Sequence, residues 1–414
     1  MSAHFQPAAR PNVPSKRRRR LSQIAGVTAA GVLTVGGLTG CATGDASDAK
    51  AEIGAARNEI ALQQAMRTLV KSGFPGVMVS VKGKDGKTRD YAAGVGDRET
   101  GEAPPKNGYM RIASNTKTFV AATVLQLVGE GKVKLDEPID TYLPGVVKGP
   151  DWDGENITVR HLLGHASGIP DYTGFMDAGT GDIPLTTYTA EQLLKPALKA
   201  KAAFPVGKKR EYSNTNYVIA GMLIEKITGK PVGEAVTERV IDRLGLKQTS
   251  WPEPGDRNVP RPRMEGYTAQ IGEELENVTE IDPSISGAAG MVISTPRDLN
   301  RFFAGLVGGK LMPAAQLAEM RRTVEAPGSQ PDTVFGLGLD KITLSCGPLW
   351  GHGGDIHGYE SRGGVTPDGR EVTLVVNALP SALIKKRPSM EAMEKEAMQK
   401  HQQVMDVVDT AICK

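Results

Sequence analysis

Cysteine is nearly missing: three residues among 414 leave room for at most one disulfide once any one of them is otherwise engaged. Charge of one sign is missing too. The formal net charge is +3, but six of the 50 Lys and Arg residues, Arg10 and the run Lys16 to Arg20, precede Cys41, where no acid lies. Past that point 44 bases face 47 acids, a near balance that gives a nucleic acid nothing to bind. Long apolar runs are absent as well. The best candidate, Leu21 to Gly37, is Gly/Ala-rich and shorter than the roughly 20 residues a membrane-spanning helix needs. No internal repeat occurs, which excludes a solenoid. What remains is a chain with 39% apolar residues, long enough for one large domain or two subdomains around a substantial core.

The N-terminus has the three parts of an export signal: a basic stretch "KRRRR", the short apolar run, and "LTGC" from Leu38 to Cys41. "LTGC" matches the lipobox of bacterial lipoproteins, whose cysteine receives the lipid. Cys41 is therefore the expected lipidation site, with a soluble secreted protein as the alternative. "RRRRL" has part of a twin-arginine signal, but Ser22 stands where a second aliphatic residue belongs, so the export route stays open. With Cys41 lipidated, Cys346 and Cys413 remain. In an oxidising compartment they form the one available disulfide, tying the last helix to the body; the alternative is two buried thiols.

Residues 42–50, "ATGDASDAK", are small and polar and suit a tether. A helix is expected from about Glu52 to Lys71, with Ile53, Ile60, Ala61, Met66, Leu69 and Val70 at helical spacing. Two short strands follow, joined by "KDGK", where Asp85-Gly86 offers left-handed turn positions. "NGYMRIASNTKTFVAATVLQLVGEG" switches to a long apolar helix bounded by Gly129 and Gly131. From about Leu135 to Gln248 the pattern is mostly helical. "TPRDLNRFFAGLVGG" predicts another helix, with Thr295 as cap and Pro296 in its first turn. Strand-like runs return in "FGLGLDKITL", "LWGHGGDIHGYESRGGVTP" and "REVTLVVNAL", and a final helix carries Met393, Ala397, Val404, Val408 and Ile412 on one side. Strands at both ends with helices between them imply an α/β (α+β) fold. One sheet would be covered by the first and last helices, with an all-helical lobe inserted and a small-molecule cleft between the two parts.

Within "RIASNTKTFV", Ser114 and Lys117 are three residues apart, one helical turn on one face. A lysine buried in an apolar helix loses basicity, and its neutral amine can take the serine proton. The same spacing recurs at Ser47–Lys50, so spacing alone means little. The company decides: "YSN" at Tyr212 to Asn214 and "HGG" at His352 to Gly354 follow in order, and Tyr-x-Asn and His-x-Gly each occur once. A strand edge at "HGG" can offer a backbone N–H to an oxyanion.

With these motifs, and with "RIASNTKTFVAATVLQLVGEGKVKLDEPIDTYLP", "ITVRHLLGHASGIPDYT", "GAAGMVISTPRDLNRFF" and "GHGGDIHGYES", the sequence resembles the serine β-lactamase-like hydrolases. It is most similar to the secreted D-alanyl-D-alanine carboxypeptidases, with class C β-lactamases and serine esterases as relatives. The resemblance spans roughly residues 76–413. Beside the signal peptide over 1–40 and the lipidated tether over 41–50 read from the N-terminal residues, it implies a hydrolase domain over 51–414. The α/β part would cover about 51–105 and 286–414, and the helical lobe about 106–285. It also implies that Ser114 forms an acyl-enzyme, Lys117 activates it, Tyr212 relays protons to the leaving group and Asn214 orients substrate and Lys117. His352 stands where many relatives carry a lysine. The oxyanion hole would be the N–H groups of Ser114 and Asp355, with Gly353 and Gly354 beside the substrate. No metal or cofactor is implied. His161 and His165 have zincin-like spacing, but Leu162 replaces the general-base glutamate, and both are expected to be structural.

Two departures bear on substrate. Peptide-cleaving relatives usually carry Ser or Thr in the middle of the third motif and an arginine just after "GLGL", both for the substrate's terminal carboxylate. Here those residues are Gly353 and Asp340, followed by Lys341, and Asp355 and His357 add polarity nearby. The expected protein is an exported serine hydrolase, D-alanyl-D-alanine carboxypeptidase-like or β-lactamase-like, on the outer face of the cytoplasmic membrane. It would be monomeric, with a small peptide, ester or β-lactam as substrate and the membrane as partner through Cys41. The alternatives are an esterase or amidase of the same scaffold, which the two departures favour, and a non-catalytic penicillin-binding sensor.

Overall fold

The computed structural model describes residues 46–176, 185–323 and 333–414; the expected signal segment and Cys41 lie outside them. Seven antiparallel strands form one sheet: β1 (Gly76–Lys82), β2 (Thr88–Gly94), β3 (Thr333–Phe335), β4 (Asp340–Leu344), β5 (Gly347–Ile356), β6 (Tyr359–Val365) and β7 (Glu371–Val376). Their order is β2-β1-β7-β6-β5-β4-β3, so strands from the two ends of the chain meet at the β1–β7 pair, as their positions in the sequence led one to expect.

Alternation along β1 and β7 sorts side chains to two faces. Val77, Val79, Val372, Leu374 and Val376 pack against α1 (Ala46–Lys71) and α5 (Met390–Cys413). Met78 and Val375 face the opposite core, where α4 (Pro296–Val307) lies. Asn300 of α4 satisfies that face: its amide donates to Ser80 O at 3.0 Å and accepts from Thr373 Oγ1 at 2.7 Å. α4 begins as the sequence indicates, with the Thr295 side chain accepting from Asp298 N and Pro296 at its first position.

The structure departs from expectation in two local details. α1 starts at Ala46, inside the segment expected to be a tether, and buries Leu62, Met66 and Leu69 while Ile60 points to solvent. The 62–66–69 spacing is the helical stripe that faces the sheet; Ile60 falls off it. In the β1–β2 hairpin only Gly86 takes the left-handed conformation, at φ 72°. Asp85 instead accepts from Lys87 N and Arg89.

The central helix α2 (Thr116–Gly129) is buried from Thr116 to Leu127, which explains its apolar character all round. α3 (Thr215–Thr228) packs against it and ends at Gly229, φ 68°. Cys346, in the β4–β5 turn, is bonded to Cys413 at the end of α5, and Asp409 accepts from Ser345 N at 2.7 Å beside it. The bond closes a separation of 67 residues. Replacing both cysteines by serine is expected to cost about 2–4 kcal/mol of stability, read as a lower urea midpoint that matches the reduced wild type. An unchanged midpoint on reduction would show that the cross-link constrains nothing.

Candidate active site

The site begins with a strained turn. Ala113, a non-glycine residue, sits at φ 48° and opens a single 3₁₀ turn, Ala113–Asn115, that leads into α2. Ties on both sides hold it. Ile112 N donates to Val292 O, Val292 N donates to Thr116 Oγ1, and Asn115 Nδ2 donates to Ile112 O and to Ser361 Oγ of β6, both at 2.9 Å. Ser114 is thereby presented to the cleft, and Lys117, one turn on, points to the same place.

Lys117 Nζ lies 2.9 Å from Ser114 Oγ, 2.7 Å from Asn214 Oδ1 and 2.9 Å from Ala289 O. Tyr212 OH donates to Ser114 Oγ at 2.7 Å. Four residues named from sequence, Ser114, Lys117, Tyr212 and Asn214, thus share one hydrogen-bonded cluster. Asn214 is held by Asp171, whose Oδ2 accepts from Asn214 Nδ2 at 2.8 Å and from Asn214 N. Tyr212 rests on the His165 ring, stacked at 4.5 Å between centroids. His165 Nδ1 accepts from Ser213 N. His161 caps its helix with Thr158, so the two histidines with metal-like spacing serve separate structural ends.

Burial decides the protonation states. It pulls the Lys117 amine down to about 7, against the opposing pull of Asp171, Asp340 and Asp355. The same cause pushes the Tyr212 phenol well above its ordinary value, so it stays protonated and can donate. Of the two groups touching Ser114 Oγ, Lys117 is therefore the one able to take a proton near neutrality. His352, on β5, is pulled down to about 4 by burial. Its Nδ1 lies 2.5 Å from Gly353 O, an acceptor only, so Nδ1 carries the proton and Nε2 is the free base. Nε2 faces Asp340 Oδ2 across 3.9 Å, beyond hydrogen-bond reach. His352 lines the cleft without bonding to the serine, lysine or tyrosine.

Asp340 corrects one expectation. It does stand beside the site, but burial pushes its carboxyl up to about 8, so near neutrality it is mainly an uncharged acid. Gly354 does not line the cleft; it lies against the nucleophile turn. Gly353 and Asp355 do line it. A Cβ on Gly353 would meet Arg362 Nη1 at 2.8 Å, because the guanidinium of Arg362, opposite Gly353 in the β5–β6 register, fills the space a motif side chain would take. The cleft measures about 760 Å³ and has an apolar wall that includes Tyr172, Ile285 and Phe335. Asp171, Ala289 and Arg362 were not singled out from sequence. Asp171 sits in the quoted stretch "SGIPDYT"; Ala289 contributes only a carbonyl, and Arg362 gives no signal without the strand register.

The family profile described as Beta-lactamase matches residues 62–393. The chain is 29% identical over 296 residues to Penicillin-binding protein 4 of Amycolatopsis lactamdurans, covering 69% of this chain and 72% of that protein. It is 28% identical to Esterase EstB of Burkholderia gladioli, covering 63% and 70%. Its fold superposes on the crystal structure of a D-stereospecific amidohydrolase from Streptomyces sp. with a TM-score of 0.73, at 36% identity over 84% of this chain and 97% of the other.

Proposed function

The chain belongs to the Beta-lactamase family, and from that premise we propose that it is a serine hydrolase cleaving amides or esters that lack a free terminal carboxylate. Ser114 Oγ attacks the carbonyl carbon while Lys117 Nζ takes its proton. The N–H groups of Ser114 and Asp355 receive the oxyanion, each such donor being worth about 3–4 kcal/mol in comparable sites. Tyr212 OH delivers a proton to the departing nitrogen or oxygen and takes back the proton that Lys117 removed from Ser114, so the lysine and the tyrosine both return to their starting states. Water then hydrolyses the acyl-enzyme with the same groups working in reverse.

One observation carries the substrate class. The place of the missing motif hydroxyl is occupied by Arg362, whose Nη atoms are turned onto Asp355, Glu360 and Ser361 O. The arginine expected after "GLGL" is Asp340. A terminal carboxylate therefore meets no exposed cationic donor at either position and faces the half-exposed Asp355 carboxylate. The esterase and the amidohydrolase among the similar proteins support the same class by name. Export as a lipoprotein on Cys41 is part of the proposal, and rests on the basic stretch, apolar run and "LTGC".

Intact-mass measurement after incubation with a penicillin, a D-Ala-D-Ala peptide, a D-amino acid amide and an activated ester tests it. The expected result is acylation and turnover with the ester and amide, and little with the peptide. Faster acylation by the peptide selects the carboxypeptidase reading instead. A wild type silent towards all four leaves only the sensor.

A further inference from the structure

A charge cluster, buried except at Asp355, flanks the cleft, and its side chains take no part in the acyl transfer described above. Arg362 is almost wholly buried and crosses from β6 to β5, where Nη1 and Nη2 hold the two Asp355 carboxylate oxygens at 2.8 and 3.0 Å. Behind it, Glu360 is fully buried; its Oε1 lies 2.8 Å from Arg362 Nη2 and 2.7 Å from His401 Nδ1 on α5. Asp355, Arg362 and Glu360 thus set one guanidinium between two carboxylates. Glu360 cancels the guanidinium from inside, where no solvent screens it, and one negative charge is left over. Asp355 is the member that shows it, with 49% of its side chain exposed to the cleft.

Position says which part of a substrate meets this charge. Tyr212, the proton donor to the leaving group, lines the cleft together with Asp340 and Asp355; its ring lies 6.5 Å from that of His352 on β5, which faces Asp340 across 3.9 Å, so these acids flank the side on which the leaving group departs. Resemblance to the carboxypeptidases puts the leaving residue's carboxylate at the positions held here by Gly353 and Asp340. The polarity of that subsite is inverted in this chain. We propose that the Asp355 carboxylate, aimed by Arg362 and left uncancelled because Glu360 neutralises that arginine, selects substrates whose leaving group carries a cationic amine. The proposal rests on the hydrolase function proposed above and specifies its substrate class.

Three esters of one acyl group test it: a trimethylammonioethyl ester, its neutral isostere the 3,3-dimethylbutyl ester, and a carboxymethyl ester. The wild type is expected to prefer the cationic over the neutral ester by about tenfold in kcat/KM, with the anionic ester slowest, and to lose that preference at high salt. Asp355→Asn brings the cation-to-neutral ratio towards one, whatever it does to the absolute rates. Glu360→Gln, a change out of reach of any substrate, moves the ratio towards the anionic ester because Arg362 is no longer cancelled. A purely structural role for Glu360 slows all three esters alike. Turnover of the neutral ester without charge preference, or a preference that survives Asp355→Asn, overturns this inference and leaves the hydrolase function standing. Failure of all three esters, and of a D-amino acid amide run beside them, to acylate Ser114 removes both.

Discussion

Ser114→Ala is expected to lose covalent acylation altogether and at least about 10⁴-fold in kcat/KM, with an unchanged melting temperature. Among the described residues, the serine oxygen is the only atom on which both Lys117 and Tyr212 converge, at 2.9 and 2.7 Å. Without it neither proton donor nor acceptor has a reacting partner. The fold does not depend on it, because Lys117 keeps Asn214 Oδ1 and Ala289 O, and the turn keeps its ties through Ile112, Asn115 and Thr116. Intact mass after treatment with an activated ester is the measurement. An adduct that persists at one equivalent in the alanine variant moves the nucleophile elsewhere.

The pH profile of the wild type is fixed by the same cluster. Lys117 can accept a proton only as the neutral amine, and burial has brought its pKa to about 7. Below that value it is an ammonium and acylation falls about tenfold per pH unit; above it the rate levels off. Tyr212 adds no alkaline limb near neutrality, since burial holds it protonated well past its ordinary range. Asp340, at about 8, acts the other way: as it ionises it draws Lys117 back towards the ammonium and rounds the plateau. Presteady-state acylation rates from pH 5 to 9 show this shape, and a flat profile excludes Lys117 as the base.

The parts of this site legible in the sequence are those in which chemistry is carried by short segments. Ser114 and Lys117 share one turn, and Tyr212 and Asn214 precede a helix whose start the apolar pattern reveals. Cys346 and Cys413 were the only pair left to bond. The parts that stayed hidden depend on pairing between distant segments. Arg362 matters because strand register sets it opposite Gly353, and Asp171 because it reaches Asn214 across 43 residues. The neutral state of Asp340 follows from burial, which no local pattern encodes. The acid there reads as a charge in the sequence and as a proton-bearing group in the fold. Ile60 is a smaller instance: it fits a helical list, yet the sheet is met by Leu62, Met66 and Leu69.

Gly354→Ala is expected to lower kcat by about 10²-fold or more and to destabilise the fold by about 1–3 kcal/mol. The methyl carbon would stand 2.2 Å from Ile112 O, 2.6 Å from Asn115 Nδ2 and 2.7 Å from Ser361 Oγ. Those atoms are the ties that hold the strained turn before Ser114, and the first is backbone, so no rotamer change makes room. β5 and the nucleophile turn must part by a fraction of the 3 Å over which proton transfer works. Both suffer at once, because β5 carries His352 and Asp355 on one side of the cleft while the turn carries Ser114 on the other. Gly174→Ala is the control, since a Cβ there meets nothing within 4 Å. If Gly354→Ala melts normally and turns over an ester at the wild-type rate, close approach of β5 to the turn is not what places the serine. If it loses stability alone, the glycine serves packing and not geometry. Loss of both, with the residual activity keeping the wild-type pH midpoint near 7, identifies a serine, lysine and tyrosine still together but displaced from the Asp355 N–H on β5.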